Sequence, residues 1–419
     1  MNICLVGVNH RTAPVAIREK VAIRAGRLNE ALQLLRSHVS PGLILSTCNR
    51  TEVYTATSGA SYAEAAILAF LRTHLDAPEA TLLKHTYVLN DKAACEHLFR
   101  TACGLDSMIV GEYEVLGQVR QSLEAADKSR MVNLPLRHLF QRAIRIGRRV
   151  REETEISKNA LSVSSVAVDL ATEVIGDLTS CKMLVIGAGE AGRVAAKAAK
   201  DRGVSRITVV SRTKERASKL ATALGGQPVS MDRLVEELDS CSLVMACADA
   251  PHYLLDIPQI ETVMKRRPGL PLVIIDIAVP RNVAPAVSQI KNVFLHNIDA
   301  LSLVAEQNRK QREGETQRVA EIITAEMTEF STWWQTFEVR PVVRALMKKA
   351  EEVRYSQLNK TLKRLRPLSD EERDSLEAMT KSIVTKLLQD PINYLKTNAN
   401  NNGQYAELVN KLLGLEVEN

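Results

Sequence analysis

The sequence predicts an α/β protein that ends in an all-α region, and three observations carry this. Strand-like and helical stretches mix over residues 1–155. Between about 156 and 298, short continuous apolar runs alternate with helical ones, which argues for a parallel, doubly wound sheet of the Rossmann type. From 299 to 419 the pattern is helical throughout. A chain of 419 residues is too long for one core, so domains of 1–155, 156–298 and 299–419 are expected.

In the first region, strands are expected at 3–8, 43–47 and 52–57, and helices at 28–39, 63–75 and 135–153. The last helix carries Arg137, Arg142, Arg145, Arg148, Arg149 and Arg151. In the second region, an apolar run at 183–186 leads into a helical run at 190–201, and further strands are expected at 207–210, 243–247 and 272–277. In the third, no proline occurs between 299 and 338, and apolar residues recur at Val319, Ile322, Ile323, Met327, Phe330, Trp334 and Phe337, which is helical spacing. So long a helix needs a partner along its length. With further helices at 342–365, 370–388 and 405–413, the region reads as a helical dimerisation module, the alternative being a bundle folding within one chain. The segment 398–403 reads as a loop.

Composition narrows the function classes. Apolar content of 45% and charged content of 25% are ordinary for a soluble globular protein. Aromatics at 4% argue against a base-stacking nucleic-acid binder. A net charge of +6 permits a polyanionic partner without requiring one. No apolar run has membrane-spanning length and the N-terminus lacks a signal-like segment, so a cytoplasmic location is expected. Seven scattered cysteines, with no CxxC, argue against structural zinc and against a disulfide framework, and no metal site is expected.

Gly187-Ala188-Gly189-Glu190-Ala191-Gly192 is a GxGxxG between a strand pattern and a helix pattern. In that setting the glycines permit a tight turn and close approach of a pyrophosphate, which the helix N-terminus then attracts. After the next strand, where an acidic residue would accept from ribose hydroxyls, stand Ser211, Arg212, Thr213 and Lys214. A hydroxyl followed by cations suits a 2′-phosphate, so NADPH is expected over NADH.

Cys48 lies between two strand patterns in Ser46-Thr47-Cys48-Asn49-Arg50-Thr51-Glu52. A cysteine there is ordinarily a small buried hydrophobe. A polar cluster at a strand end is costly to bury without partners, however, and such positions often carry function. Arg50, with His97 from elsewhere in the domain, is expected to raise the share of thiolate, and Arg50 offers bidentate geometry to a carboxylate. A thiol and a nicotinamide site on one chain suggest capture of an acyl group as a thioester, followed by reduction to an aldehyde. Two alternatives stay open: an NADP-dependent dehydrogenase without covalent catalysis, and a nucleotide-sensing dimer with no turnover.

The motifs GVNHRTAPV (7–15), LSTCNRTE (45–52), GLDSMIVGE (104–112), LGQVR (116–120), GAGEAG (187–192), SRT (211–213) and IDIAVPR (275–281) together resemble the glutamyl-tRNA reductase family. The resemblance implies that Cys48 attacks the activated ester of glutamyl-tRNA, with His97 important for activity. It implies substrate contacts from Thr47, Asn49, Arg50, Ser107, Glu112, Tyr113, Glu114 and Gln118, and an NADPH loop over Gly187–Gly192. It further implies a catalytic N-terminal domain, a V-shaped homodimer joined by a long spinal helix, and glutamate-1-semialdehyde as product. A transient complex with glutamate-1-semialdehyde aminomutase would follow. The chain departs from the family pattern at Tyr113-Glu114, where Pro-Gln is usual, and at Asn282 and Ala300, where acids are usual.

Overall fold

The computed structural model describes residues 3–57, 60–74, 83–108, 110–157, 163–301, 313–397 and 404–415. It forms two compact units, Asn2–Thr324 and, with Met1, Ala325–Asn419.

The first unit holds two sheets. One is antiparallel, built from β1 (Ile3–Asn9), β2 (Leu43–Ser46), β3 (Arg50–Ala56) and β4 (Tyr87–Asn90) in the order β2-β3-β1-β4. The helices Ala60–His74 and Asp91–Ala102 pack on β1, Glu114–Lys128 on β2 and Leu134–Glu153 on β3. All seven residues of β1 and of β3 are buried. The Leu134–Glu153 helix starts where the Asn133 side chain accepts from the Leu136 N–H (3.1 Å), with Pro135 in the first turn, where its missing donor costs nothing.

The second sheet is parallel, with β5 (Lys182–Ile186), β6 (Arg206–Val210), β7 (Gln227–Val229), β8 (Leu243–Ala246), β9 (Leu272–Asp276) and β10 (Val293–Asn297) in the order β10-β9-β8-β5-β6-β7. Buried clusters lie on both faces, one around Met183, Val185 and Ala195 and one around Leu184, Ile186 and Ile260. Burial on two faces is why these strands read as unbroken apolar runs. Strand order reverses between β5 and β8, and ligands of such sheets bind beyond the strand ends at that point.

In the second unit the helices Arg340–Leu362, Asp370–Thr397 and Gln404–Leu413 pack around Val342, Leu346, Leu395 and Leu415. The Asp370–Thr397 helix passes the expected end at 388 and contains Pro391. A groove of about 610 Å³ between the first two helices is lined by Val353, Met379, Ile383 and Leu387, which are 56, 51, 49 and 70% exposed. The helix Glu313–Glu338 contains all the apolar positions that predicted it. The earlier part of that expected helix, 302–312, and the expected loop 398–403 lie outside the described residues.

The architecture is the α/β plus all-α class that the sequence predicts. Among the described residues, no helix is long and apolar enough to cross a membrane, and no group of three metal-ligating side chains occurs.

Candidate active site

Cys48 stands at the tip of the β2–β3 hairpin. The Thr47 N–H donates to the Arg50 carbonyl (2.8 Å), and the Thr47 hydroxyl accepts from the N–H groups of Asn49 (3.0 Å) and Arg50 (3.1 Å). A threonine side chain thus holds the turn that a backbone alone would leave loose. The Asn49 carbonyl accepts from the His10 N–H (2.9 Å), which ties the tip to the end of β1. Cys48 is half-buried and packs, as Val279 does, against a cluster of Val15, Met108 and Ile298.

Arg50 turns inward from this tip. Its Nη1 donates to Glu52 Oε1 (2.9 Å) and Thr101 Oγ1 (2.8 Å), and its Nη2 to the Asp106 carbonyl (2.6 Å). Glu52 is fully buried and also accepts from Tyr87 (2.6 Å) and Tyr54 (2.7 Å), while His97 Nε2 lies 2.8 Å from its Oε1. Burial alone would raise the Glu52 carboxyl; His97 and Arg50 overcome it and hold the group well below the usual carboxylate range. The structure therefore places Arg50 and His97 around a buried carboxylate, where Glu52 neutralises the Arg50 charge.

The largest influences on the thiol come from burial and from other groups. Burial pushes Cys48 up to about 12; Glu112 and Glu114 add to this, and Arg18 opposes it. Burial also pushes the Glu112 carboxyl up to about 7, against the pull of the buried Ser107 hydroxyl. Glu114 is raised by burial and by Glu190 of the glycine-rich loop. The segment 104–112 is folded by two left-handed glycines, Gly104 (φ 75°) and Gly111 (φ 87°), joined by a bond from the Gly111 N–H to the Gly104 carbonyl (3.0 Å). Tyr113 is 61% exposed under the Arg151 guanidinium. Gln118 lies one turn beyond Glu114 on the same helix. Replacing Glu114 by glutamine removes a negative charge that favours the neutral thiol. Labelling of Cys48 by iodoacetamide at pH 8 is expected to rise about 3–10-fold. An unchanged rate would dismiss the influence of Glu114.

The glycine-rich loop follows β5. Gly187 has φ 116°, and a Cβ there would stand 2.8 Å from the Cys247 and Ala248 backbone. At Gly192 a Cβ would stand 2.5 Å from the Gly187 carbonyl oxygen and 2.9 Å from Cys247 Sγ. At Gly189 it would meet open space. The outer glycines thus serve the protein's own packing, and the middle one leaves room at the N-terminus of the Glu190–Asp201 helix. That combination fits a dinucleotide pyrophosphate. Ala188 and Ala191 pack on the sheet core below. After β6, the Ser211 hydroxyl accepts from the Thr213 N–H (3.3 Å), and the exposed Arg212 donates from Nη2 to the Asp249 carbonyl (2.5 Å). Asn282, one of the departures, is buried and pairs both ways with Ala248: Oδ1 accepts from its N–H (2.8 Å) and Nδ2 donates to its carbonyl (3.0 Å). A carboxylate could make only the first of these bonds.

Sequence reasoning passed over the helix Val15–Val21. Arg18 is 2% exposed and donates from Nη1 to Asp299 Oδ1 (2.8 Å) and the Ala13 carbonyl (3.2 Å). Asp299 Oδ2 also accepts from the Val15 N–H (2.9 Å), and Arg281 makes a two-bond pair with Glu19 (2.9 and 2.6 Å). A helix of seven residues has too few turns to reveal a face, and its partners lie more than 250 positions away in the chain.

Residues 6–154 match the model of the glutamyl-tRNAGlu reductase N-terminal domain, 169–304 that of shikimate / quinate 5-dehydrogenase, and 318–415 that of the glutamyl-tRNAGlu reductase dimerisation domain. Glutamyl-tRNA reductase from Geotalea daltonii is 37% identical over 99% of this chain and 97% of its own length, and that from Natranaerobius thermophilus 38% identical over 94% and 87%. The solved glutamyl-tRNA reductase from Methanopyrus kandleri superposes with a TM-score of 0.51 at 33% identity, covering 97% of this chain and 99% of its own. Relatives of this identity span almost the whole of the sequence, and the chain belongs to the glutamyl-tRNA reductase family.

Proposed function

We propose that the chain reduces glutamyl-tRNA(Glu) to glutamate-1-semialdehyde with release of tRNA, the first step of 5-aminolevulinate and tetrapyrrole (porphyrin) biosynthesis, through a thioester on Cys48. One observation carries the reading beyond family membership. The charge of Glu114 bears on Cys48 and on Cys247, beneath the glycine-rich loop, and Glu190 of that loop bears on Glu114. These shared influences support a reading in which thiol and nucleotide loop serve one reaction.

An aminoacyl ester is already activated, so no ATP is required. The Cys48 Sγ–carbon bond forms, the ester carbon–oxygen bond breaks, and the ribose oxygen leaves with a proton. Glu112, with its carboxyl near 7, takes the thiol proton and returns it to that oxygen. Glu114 supplies the negative charge that the α-ammonium of the glutamyl group requires, while Thr47 and Asn49 keep the thiol presented. Gly187–Gly192 would hold the pyrophosphate of a reduced nicotinamide dinucleotide, which would supply the hydride needed to convert the thioester to the aldehyde and free the thiolate. Arg50 and His97 keep the hairpin tip in register through Glu52.

NADPH is the form taken, and Arg212 with Ser211 receives its 2′-phosphate. Arg212→Glu is expected to raise the KM for NADPH at least about 10-fold and that for NADH less than about 3-fold; equal effects would remove Arg212 from this role. The exposed face of the Leu134–Glu153 helix, with Arg145, Arg148 and Arg149, meets tRNA phosphates. A second copy covers the apolar groove of the helical unit, in keeping with the match to a dimerisation domain. All seven cysteines are free thiols, which suits the reducing cytoplasm. The reactive aldehyde passes to glutamate-1-semialdehyde aminomutase in a transient complex. The purified protein, given glutamyl-tRNA and NADPH, should consume both and form the semialdehyde; tRNA that stays acylated would refute the reading.

A further inference from the structure

We propose that Tyr113 is a specificity-determining residue of this site: the open face of its ring stacks on the base of the nucleoside that carries the acyl ester. This rests on the thioester reading above. Tyr113 stands just before the Glu114–Lys128 helix and is 61% exposed, yet its ring is held as a platform. Arg151 covers one face, with the guanidinium carbon 5.7 Å from the ring centroid. That guanidinium is itself fixed by three carbonyls, since Nη1 donates to Ala102 (2.9 Å) and Gly147 (2.6 Å) and Nη2 to Glu112 (2.7 Å). The backbone before the ring is fixed as well, because the Gly111 carbonyl accepts from the Ser157 hydroxyl (2.7 Å). A cation held over one face of an aromatic ring leaves the opposite face for a flat, uncharged ring. A nucleobase is such a ring, and a platform ordered in advance loses little freedom when it receives one.

Its position selects the base rather than another part of the substrate. Met108 belongs to the cluster on which Cys48 packs. The Gly111 N–H closes the segment back on the Gly104 carbonyl (3.0 Å), and Tyr113 follows where the chain leaves that closure. Its two sequence neighbours, Glu112 and Glu114, both bear on the thiol. In an aminoacyl ester the acyl carbon must reach Cys48, while the base begins four bonds beyond the ester oxygen. With the acyl group among Cys48 and the two acids, the base emerges on the solvent side, where the ring is open. Arg145 and Arg148 are exposed about two turns and one turn before Arg151 on the same helix, and they offer a positive face to the phosphates of preceding nucleotides. Aromatics at 4% give this chain no array of rings for reading a strand, but a single terminal base needs only one.

Two glutamyl-tRNAs test this, one ending in the ordinary adenosine and one ending in a ribose that lacks its base. The kcat/KM for release of tRNA is measured for each, with NADPH present. The wild type should favour the ordinary tRNA by at least about 5-fold. Tyr113→Ala should bring that ratio close to unity, and Tyr113→Phe, which keeps the ring, should preserve it. A Tyr113→Ala protein that is slower with both tRNAs but keeps the wild-type ratio overturns the proposal, because a loss of local structure alone would act in that way. So does a wild type without preference, and so does a Tyr113→Phe protein that loses the ratio, which would assign the effect to the hydroxyl. A wild type that releases neither tRNA overturns the substrate reading itself, and this proposal with it.

Discussion

Cys48→Ser leaves glutamyl-tRNA acylated: release of tRNA and consumption of NADPH both fall by at least about 1,000-fold. The chemical reason is the nucleophile. A serine hydroxyl ionises far less readily than even a thiol raised to about 12, and its attack would exchange one oxygen ester for another with no gain in reactivity toward reduction. The structural reason that the effect is confined to chemistry lies in the hairpin. The turn is held by the Thr47 hydroxyl, the Asn49 carbonyl and the Arg50 backbone, all of which the substitution leaves in place. Circular dichroism and melting should therefore match the wild type. Semialdehyde formation by the variant at more than a hundredth of the wild-type rate would end the case for a thioester.

Gly111→Ala is the substitution expected to cost most in stability, about 3–5 kcal/mol. Its φ of 87° is left-handed, and a Cβ would stand 2.0 Å from the Ile156 carbonyl oxygen and 2.8 Å from its carbon. Both are backbone atoms, so no side-chain rotation relieves the collision; the 104–112 segment or the stretch after the Leu134–Glu153 helix must move. Ser157, whose hydroxyl donates to the Gly111 carbonyl (2.7 Å), would move with it. Glu112 would leave the thiol, so activity should fall even where the protein still folds. Gly117→Ala is the control: nothing lies within 4 Å of its Cβ and it sits inside a helix, where alanine gains about 0.5–1 kcal/mol. If thermal unfolding shows the two variants equally stable, the account of Gly111 fails.

Much of this was legible in the sequence, for physical reasons that particular residues make plain. The parallel sheet announced itself because burial on two faces leaves Leu184, Val185 and Ile186 no polar alternation. The loop at Gly187–Gly192 was readable because its glycines answer to backbone collisions within a few residues of chain. Cys48 could be singled out because Thr47, Asn49 and Arg50 are too polar for an ordinary strand end. The short strand β4 and the seven-residue Val15–Val21 helix gave no period to read. The sequence places Arg50 two residues from Cys48, but the bonds of its side chain to Glu52, Thr101 and the Asp106 carbonyl had no signal in the sequence. The burial of Arg18 had no local signal, because it is bonded to Asp299, far along the chain.

The fastening of the Val15–Val21 helix to residues 281 and 299 has a thermodynamic consequence. Two ion pairs lead its directional bonds: Arg18 with Asp299, and Arg281 with Glu19. Charged groups pulled apart are rehydrated at once, so such a seam can part and re-form at far smaller net cost than interlocked apolar packing. The same seam is sensitive to ionic strength, because added salt screens partly exposed pairs such as Arg281–Glu19. The helix is thus joined to residues 281 and 299 by contacts that water and salt can loosen.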